Sequence, residues 1–508
     1  MSAGTERRSE GAARHGFGAE VSALRLVVEL CRTLEEEGIR YCHWKSNEAI
    51  DRSATGENDL DLLIERADAQ RFGTVLARLG FKEARPHASR EVPGLVDHYG
   101  FDADAGRLVH LQAHYQLVLG DDMTKSFRLP VERAYLASST QGPIFRVPSP
   151  EHELAVFVVR MMLKHASWDA QLCRQGDLAP SERRELVFLL ERAPRAGLEQ
   201  VVAELLPFVS LDLFRRCLAS LEPGEDGWAR ATAGRQLERC LAAHTRRSRR
   251  VDIPLKVGRR AARVTQRHVL RRAARKRLTT GGAVIAVVGG DGSGKSTVVD
   301  QLEEWLGKAF PVERFHLGKP PRPLSSKLLR DTMRAGRLIG LFRSTRQPAE
   351  ATRGDRGRPV PFPGPAWLLW HVVNGRDRRR AYADARRHAT NGGIAICDRF
   401  PLAELSLMDG ARAGGVADGS LGWWSRALRK VEQRCYDDIR EPDILIVLRV
   451  DPEVAARRRP DQDNGFVRAR AAEVMEVSWC RTSALVVDAN RPQAEVIAVV
   501  KDHVWSSL

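Results

Sequence analysis

Residues 283–306 read AVIAVVGGDGSGKSTVVDQLEEWL. An apolar, β-branched run leads straight into a glycine-rich turn. Within the turn, Gly289, Gly294, Lys295 and Ser296 fit the pattern G-x-x-x-x-G-K-[ST]. The run predicts a buried strand over Ala283–Val288, and Val298–Leu306 predicts a helix. That strand–turn–helix context is what the pattern requires. Gly289, Gly290, Gly292 and Gly294 let backbone N–H groups curl around phosphate oxygens, with Ser293 and Thr297 in the same cradle. Lys295 would place a point charge on β- and γ-phosphates, and the Ser296 hydroxyl would ligate Mg²⁺. Asp291 puts a carboxylate inside the loop. It either faces an acceptor hydroxyl or bonds its own backbone as a turn residue.

From Gly281 onward, short β-branched strands alternate with helical stretches, which predicts a parallel α/β sheet. GGIAICDRF (392–400) is a strand ending in Asp398-Arg399, and EPDILIVLRVDPEVAARRR (441–459) is a strand followed by three arginines. SALVVDANRPQAEV (483–496) is a last strand leading into a helix. A carboxylate at a strand end beside the loop can order Mg²⁺ and its waters, or cap a helix, so Asp398 is a metal candidate. Arg399 can hold an acceptor phosphate in bidentate fashion. Arg457, Arg458 and Arg459 either close on a transferring phosphoryl group or form a solvated helix face. Arg468 and Arg470 are weaker candidates.

These four blocks, in this order, resemble the thymidylate kinases. GGDGSGKST looks like that family's phosphate loop with its acidic position at Asp291, and Asp398-Arg399 looks like its DR motif. The resemblance covers most of 281–508. It implies a P-loop kinase domain that uses ATP and Mg²⁺ and has Lys295, Asp291, Arg399 and Arg457–Arg459 as catalytic candidates. Where the family carries an R-E-P-G-G-T-like acceptor segment, this chain reads FHLGKPPRPL (315–324), with Lys319 and Arg322 as anion-binding candidates. The acceptor therefore stays open between a nucleotide, a sugar and another phosphorylated metabolite.

A second signal lies at HWKSNEAIDRSATGENDLDLLIE (43–65). Asp59 and Asp61 share one side of a strand because side chains alternate with period two. Two such carboxylates suit a shared Mg²⁺ pair. Gly56 would open the turn before them, and Lys45 and Ser46 lie upstream. This stretch resembles the nucleotidyltransferase superfamily, and HLQAHYQL (110–117) resembles the strand that brings a third carboxylate. Aligned on His114, that position holds Gln112. A neutral amide neutralises no cation, so Asp59 and Asp61 are read as ordinary turn and strand-edge acids, as part of a non-catalytic copy of the fold, or as a weak second metal site.

Composition frames both signals. Of 508 residues, 43% are hydrophobic and 29% charged, which is ordinary for a folded protein. No apolar run is long enough to span a bilayer, and the first residues lack a signal-peptide core. The eight cysteines are scattered without a C-x-x-C pair, which predicts reduced thiols in a cytoplasmic protein. Net charge is +16, but residues 246–277 hold fourteen Lys/Arg against Asp252, so the remainder carries about +3. The basic stretch is read as a solvated helical linker, or as a helix lying on an anionic membrane surface or a partner. Specific nucleic-acid binding is not expected, because the stretch lacks aromatics for base stacking.

The resulting plan has a disordered tail (1–18), a nucleotidyltransferase-like α+β domain (19–147) and a helical domain (148–245). A basic linker (246–278) and the P-loop domain (279–508) complete it. Helices are expected at 20–37, from Ser149 as N-cap, and near Ser181–Glu185; strand is expected over 107–119. His152 and His165 are read as surface or packing histidines, and Trp423-Trp424 as helix packing. As a whole the chain reads as an α/β ATP-dependent phosphotransferase acting on a small molecule. The alternatives are a bifunctional enzyme with N-terminal nucleotidyl transfer and a regulatory protein that binds ATP as a ligand.

Overall fold

A computed structural model describes residues 23–166, 177–222, 227–268, 275–318, 320, 365–405, 407, 408, 410, 411 and 422–508. The expected tail 1–18, Cys173, Lys319, Arg322 and all of the 343–365 loop except Pro365 lie outside the described residues. The strands among them are β1 (Tyr41–His43), β2 (Leu60–Ile64), β3 (Lys82–Arg85), β4 (Leu95–Asp102) and β5 (Arg107–His114). There follow β6 (Leu117–Leu119), β7 (Phe127–Leu129), β8 (Thr140–Gln141), β9 (Arg146–Val147) and β10 (Arg277–Leu278). The last five are β11 (Ala283–Gly289), β12 (Val312–His316), β13 (Ile394–Asp398), β14 (Ile444–Arg449) and β15 (Leu485–Asp488). The chain is α/β, and no helix of the described residues is long and apolar enough to cross a membrane.

Two compact units emerge. One holds the residues up to Val75, Leu108–Tyr115 and Val131–Cys240; the other holds Leu76–Arg107, Gln116–Pro130 and Leu241–Leu508. In the first, β1 runs antiparallel to β2, and β2 runs parallel to β5 with Asp61 opposite Gln112. The helix Arg25–Glu36 turns Leu26, Val27, Leu30 and Leu34 inward, as their helical spacing requires. Of the expected span 20–37, residues 20–22 lie outside the described residues. Pro150–His165 is buried over most of its length, from Leu154 to Leu163. Its N-cap Ser149 makes no capping bond; the hydroxyl meets His152 Nδ1 instead, at 2.9 Å. The next helix opens at Pro180 rather than Ser181, since proline's fixed φ suits a first turn. Glu182, not Glu185, reaches back to accept from the Ala179 N–H at 2.8 Å.

In the second unit, β12, β13, β11, β14 and β15 form a parallel sheet in that order. β11 is central and buried at every position. A strand covered on both faces reads as a continuous apolar run rather than an alternating one, which is why its sequence was so legible. Val284, Ala286 and Val288 pack with Ala381, Ala385 and Ala389 of the helix Pro365–Thr390. Small side chains there let the helix approach closely, and a larger residue at Ala385 would cost about 1–3 kcal/mol in overpacking. Lys295–Gly307 follows β11 directly, starting three residues earlier than expected. Its buried Val299, Leu302 and Leu306 each contribute roughly 1.5–3 kcal/mol. An aromatic cluster of Phe101, Trp305 and Trp505 lies behind it, and Trp505 Nε1 donates to the Gly80 carbonyl at 3.0 Å. The 107–119 stretch forms two strands, β5 and β6, and β6 turns away to pair with β7.

Among the described residues Cys31, Cys42, Cys217, Cys240, Cys397, Cys435 and Cys480 are free thiols. Burial pushes Cys397 up to about 12, so it is an inert packing group beside Asp398.

Candidate functional site

The glycine-rich turn joins the C-terminal end of β11 to the helix Lys295–Gly307. Gly292 (φ +79°) and Gly294 (φ +86°) sit in the left-handed region, and a Cβ on Gly292 would lie 2.8 Å from the Ala455 carbonyl oxygen. Only glycine fits there without strain. The tight path folds the loop over the start of the helix, where unpaired backbone N–H groups favour an anion. Lys295 Nζ donates to the Gly289 and Gly290 carbonyls at 2.9 and 2.7 Å. Burial pulls its ammonium down to about 8; Arg399 and Arg470 act in the same direction, against Asp291 and Asp398. Four charged groups, three of them from distant sequence, therefore lie within electrostatic reach of Lys295. Ser296 is exposed on the first helical turn and Thr297 is half-buried.

Asp291 is buried in the loop. One of its oxygens accepts from Arg470 Nη1 at 2.8 Å, the other from Arg399 Nη2 at 3.4 Å. Burial pushes its carboxyl up, but the Arg470 bond and the Arg470, Lys295 and Arg399 charges outweigh that and hold it below the usual carboxylate range. Arg399 has φ +57°, a left-handed conformation that costs a non-glycine residue roughly 1–2 kcal/mol. Strain of this kind collects where surrounding structure must aim a side chain. Arg470 is held as well: its Nε donates to the Leu407 carbonyl at 3.1 Å, and its guanidinium lies 4.2 Å from the Phe466 ring centre.

β13 pairs directly with β11, placing Asp398 opposite Val287 at the sheet end that feeds the loop. Asp398 is buried, and its Oδ1 finds no hydrogen-bond partner among the described residues; neither does the buried Ser293 Oγ. Arg314 Nη2 is 3.7 Å from the other Asp398 oxygen. A buried carboxylate oxygen left without a partner is costly, and a cation or its water shell would satisfy it. No group of three or more His, Cys, Asp or Glu gathers to hold a metal among the described residues. An ion here would complete its shell with water and phosphate, as Mg²⁺ commonly does. The orphaned Asp398 oxygen is thus one that Mg²⁺ would satisfy, and Ser296 stands exposed on the helix that follows the loop.

The three arginines 457–459 separate. Arg458 Nη1 donates to the Gly292 carbonyl at 3.3 Å and the Ala489 carbonyl at 3.1 Å, so it touches the loop. Arg457 is exposed, and Arg459 leans 3.8 Å from Asp461. Arg468 pairs with Glu453 away from Asp291. Sequence reasoning ranked Arg470 low and missed Arg314. The i, i+4 spacing of Phe466 and Arg470, which stacks the guanidinium on the ring, was the one local hint for Arg470.

A second polar cluster lies in the first unit. Asp61 is buried, with Lys45 Nζ at 3.0 Å and His114 Nε2 at 3.3 Å. Burial raises its carboxyl, yet Lys45, His114 and His43 win and hold it far below the usual range. Asp59 is half-exposed; His110 Nδ1 is 2.7 Å away and Gln112 Nε2 donates to it at 3.3 Å. Ser46, with φ +59°, donates its N–H to Glu185, which also takes a two-point contact from Arg160 at 2.7 Å. Asp61 is thus already matched to Lys45, while His110 and the neutral Gln112 amide lie against Asp59.

No known family's sequence model matches the chain. It is similar to the uncharacterized ATP-binding protein YghR of Escherichia coli K12, with 29% identity over 222 residues, 42% of this chain and 83% of YghR. It is also similar to the uncharacterized ATP-binding protein YghS of the same strain, with 26% identity over 220 residues, 42% of this chain and 89% of YghS.

Proposed function

We infer that this chain binds ATP in the 289–297 loop and that residues 279–508 act as a P-loop phosphotransferase. The ATP-binding names of its relatives support the first part. One observation carries the second: at the shared end of β11 and β13 an anion-binding loop, the Lys295 ammonium and a buried carboxylate with an unsatisfied oxygen converge. Backbone N–H groups of 289–297 hold the triphosphate. Lys295 leaves the Gly289 and Gly290 carbonyls for the β- and γ-phosphates, exchanging neutral acceptors for anionic ones. Asp398 and Ser296 hold Mg²⁺, which when bound neutralises phosphate charge. Asp291 fixes Arg399 and Arg470 side by side, so two guanidiniums face the same space as fixed positive charge. Catalysis is then positioning plus electrostatic stabilisation, with Arg458 able to follow the loop.

The acceptor is a small molecule, phosphorylated or hydroxylic. The polar cluster at Asp59 and Asp61 supports an accessory role for residues 19–147, because Lys45 and His114 already balance Asp61. The test is a phosphoryl-transfer screen with ATP and Mg²⁺ over nucleoside monophosphates, dTMP first, and sugar phosphates, with Lys295→Ala as control. Transfer that disappears in the variant supports the reading. ATP binding with no transfer to any acceptor would instead favour a protein that uses ATP as a ligand.

A further inference from the structure

The helix Arg249–His268 carries its polarity reversed. The side turned toward the protein is charged. Lys256 Nζ lies 3.2 Å from Asp121 and Arg260 Nη2 donates to the same carboxylate at 2.7 Å. Arg259 Nη1 donates to the Met123 carbonyl at 2.7 Å, and Asp252 accepts from Thr124 at 3.3 Å and from Ser126. Just before the helix, Arg246 donates to the Lys125 carbonyl at 2.9 Å and Arg247 to that of Thr124 at 3.3 Å. These bonds clamp the turn 121–126 and fix the rotation of the helix about its axis.

The outward side is apolar. Ile253, Val257, Ala261 and Val264 recur at helical spacing, and Val257 and Val264 are 60% and 58% exposed. Arg249 and Arg250 are exposed beside this stripe. Residues 246–268 hold nine Lys/Arg against the single acid Asp252, a net +8. A second copy of so cationic a face would repel it, and no aromatic residue lies on it to stack with bases. An apolar stripe edged with arginines matches a surface that is both apolar and anionic. We propose that this helix docks the protein in-plane on an anionic lipid surface. Ile253, Val257 and Val264 enter the acyl boundary, and Arg249 and Arg250 meet lipid phosphates. The inward salt bridges keep the apolar side outward whether or not lipid is present.

The test is flotation of the full chain with phosphatidylcholine vesicles, alone or with about 30 mol% phosphatidylglycerol. Flotation with the anionic vesicles only, weakening as salt rises, is the expected result. Val257→Asp with Val264→Asp should cut it at least about tenfold, and each of Arg249→Gln and Arg250→Gln about fivefold. All these positions are exposed, so circular dichroism and melting should stay as in the parent. Lys295→Ala should float normally, which separates this surface from the nucleotide loop. The proposal is overturned by absence of flotation, by equal flotation with phosphatidylcholine alone, by unchanged flotation of the double valine variant, or by a dimer that this variant dissociates. RNA that displaces the vesicles in proportion to its own binding would also overturn it.

Discussion

Arg470 Nη1 donates to Asp291 Oδ2 across 2.8 Å, joining the helix Asn464–Glu476 to the glycine-rich loop over 179 residues of sequence. The bond uses up one oxygen of the carboxylate, while Arg399 approaches the other. Asp291 therefore works on its neighbours: it holds two guanidiniums that would otherwise repel one another.

Asp291→Ala should free both arginines and disorder the acceptor side. Transfer to a phosphorylated acceptor should fall about 10–100-fold in kcat/KM, since small misplacements are expensive. The ATP dissociation constant should move less than about threefold, because the backbone cradle remains. Initial rates and calorimetry on the same preparations check this. Equal losses in both quantities would mean that Asp291 supports the loop itself.

Lys295 sets a pH dependence. Its ammonium is held near 8, below the ordinary lysine value, chiefly by burial. Bound triphosphate favours the charged form, so above about pH 8 binding must take up a proton. ATP affinity should thus be level below pH 8 and weaken as pH rises through it. Calorimetry in two buffers of different ionisation enthalpy at pH 8.5 should show net proton uptake, and Lys295→Met should show none from this group.

Asp398→Asn keeps the shape and removes the charge. Relief of a buried unpaired oxygen should leave stability unchanged or raise it by up to about 1 kcal/mol. Phosphoryl transfer should drop at least about 100-fold, and the Mg²⁺ concentration giving half-maximal rate should rise. A variant with parental Mg²⁺ dependence would remove Asp398 from the site.

In the first unit, Asp61 is a stability group. Its folded-state carboxyl lies below the unfolded value, so its contribution is present above the usual carboxylate range and is lost as pH falls below it. Asp61→Asn should therefore lower the melting temperature at pH 7 and flatten its decline below about pH 4. Lys45→Met leaves Asp61 with His114 and His43 and should cost about 1–3 kcal/mol. If both variants melt like the parent, the ion pair has no structural weight.

How legible these features were follows from their range. The position of the glycine-rich turn was legible because its glycines, Lys295 and Ser296 are local, and β11 announced itself by being apolar without alternation. The place of Asp398 beside that turn was legible because a parallel strand ends beside its neighbour. The partner of Asp291 was hidden: nothing near Asp291 or Arg470 encodes a contact that the packing of Asn464–Glu476 creates. The basic segment shows the same limit. Its charge was plain, but the side turned inward depends on Asp121 and the carbonyls of Met123, Thr124 and Lys125, none adjacent in sequence. Ser149 and Ser181 failed as caps because His152 and Pro180 changed the local bonding.

Mg²⁺–ATP binding by calorimetry to the full chain and to Lys295→Ala, with melting curves to show that both are folded, tests the 289–297 loop as the nucleotide site. Saturable binding by the parent and an affinity loss of at least about tenfold in the variant, at unchanged melting temperature, are the expected results. Equal affinity in the two proteins, or no binding by the parent, would contradict that assignment.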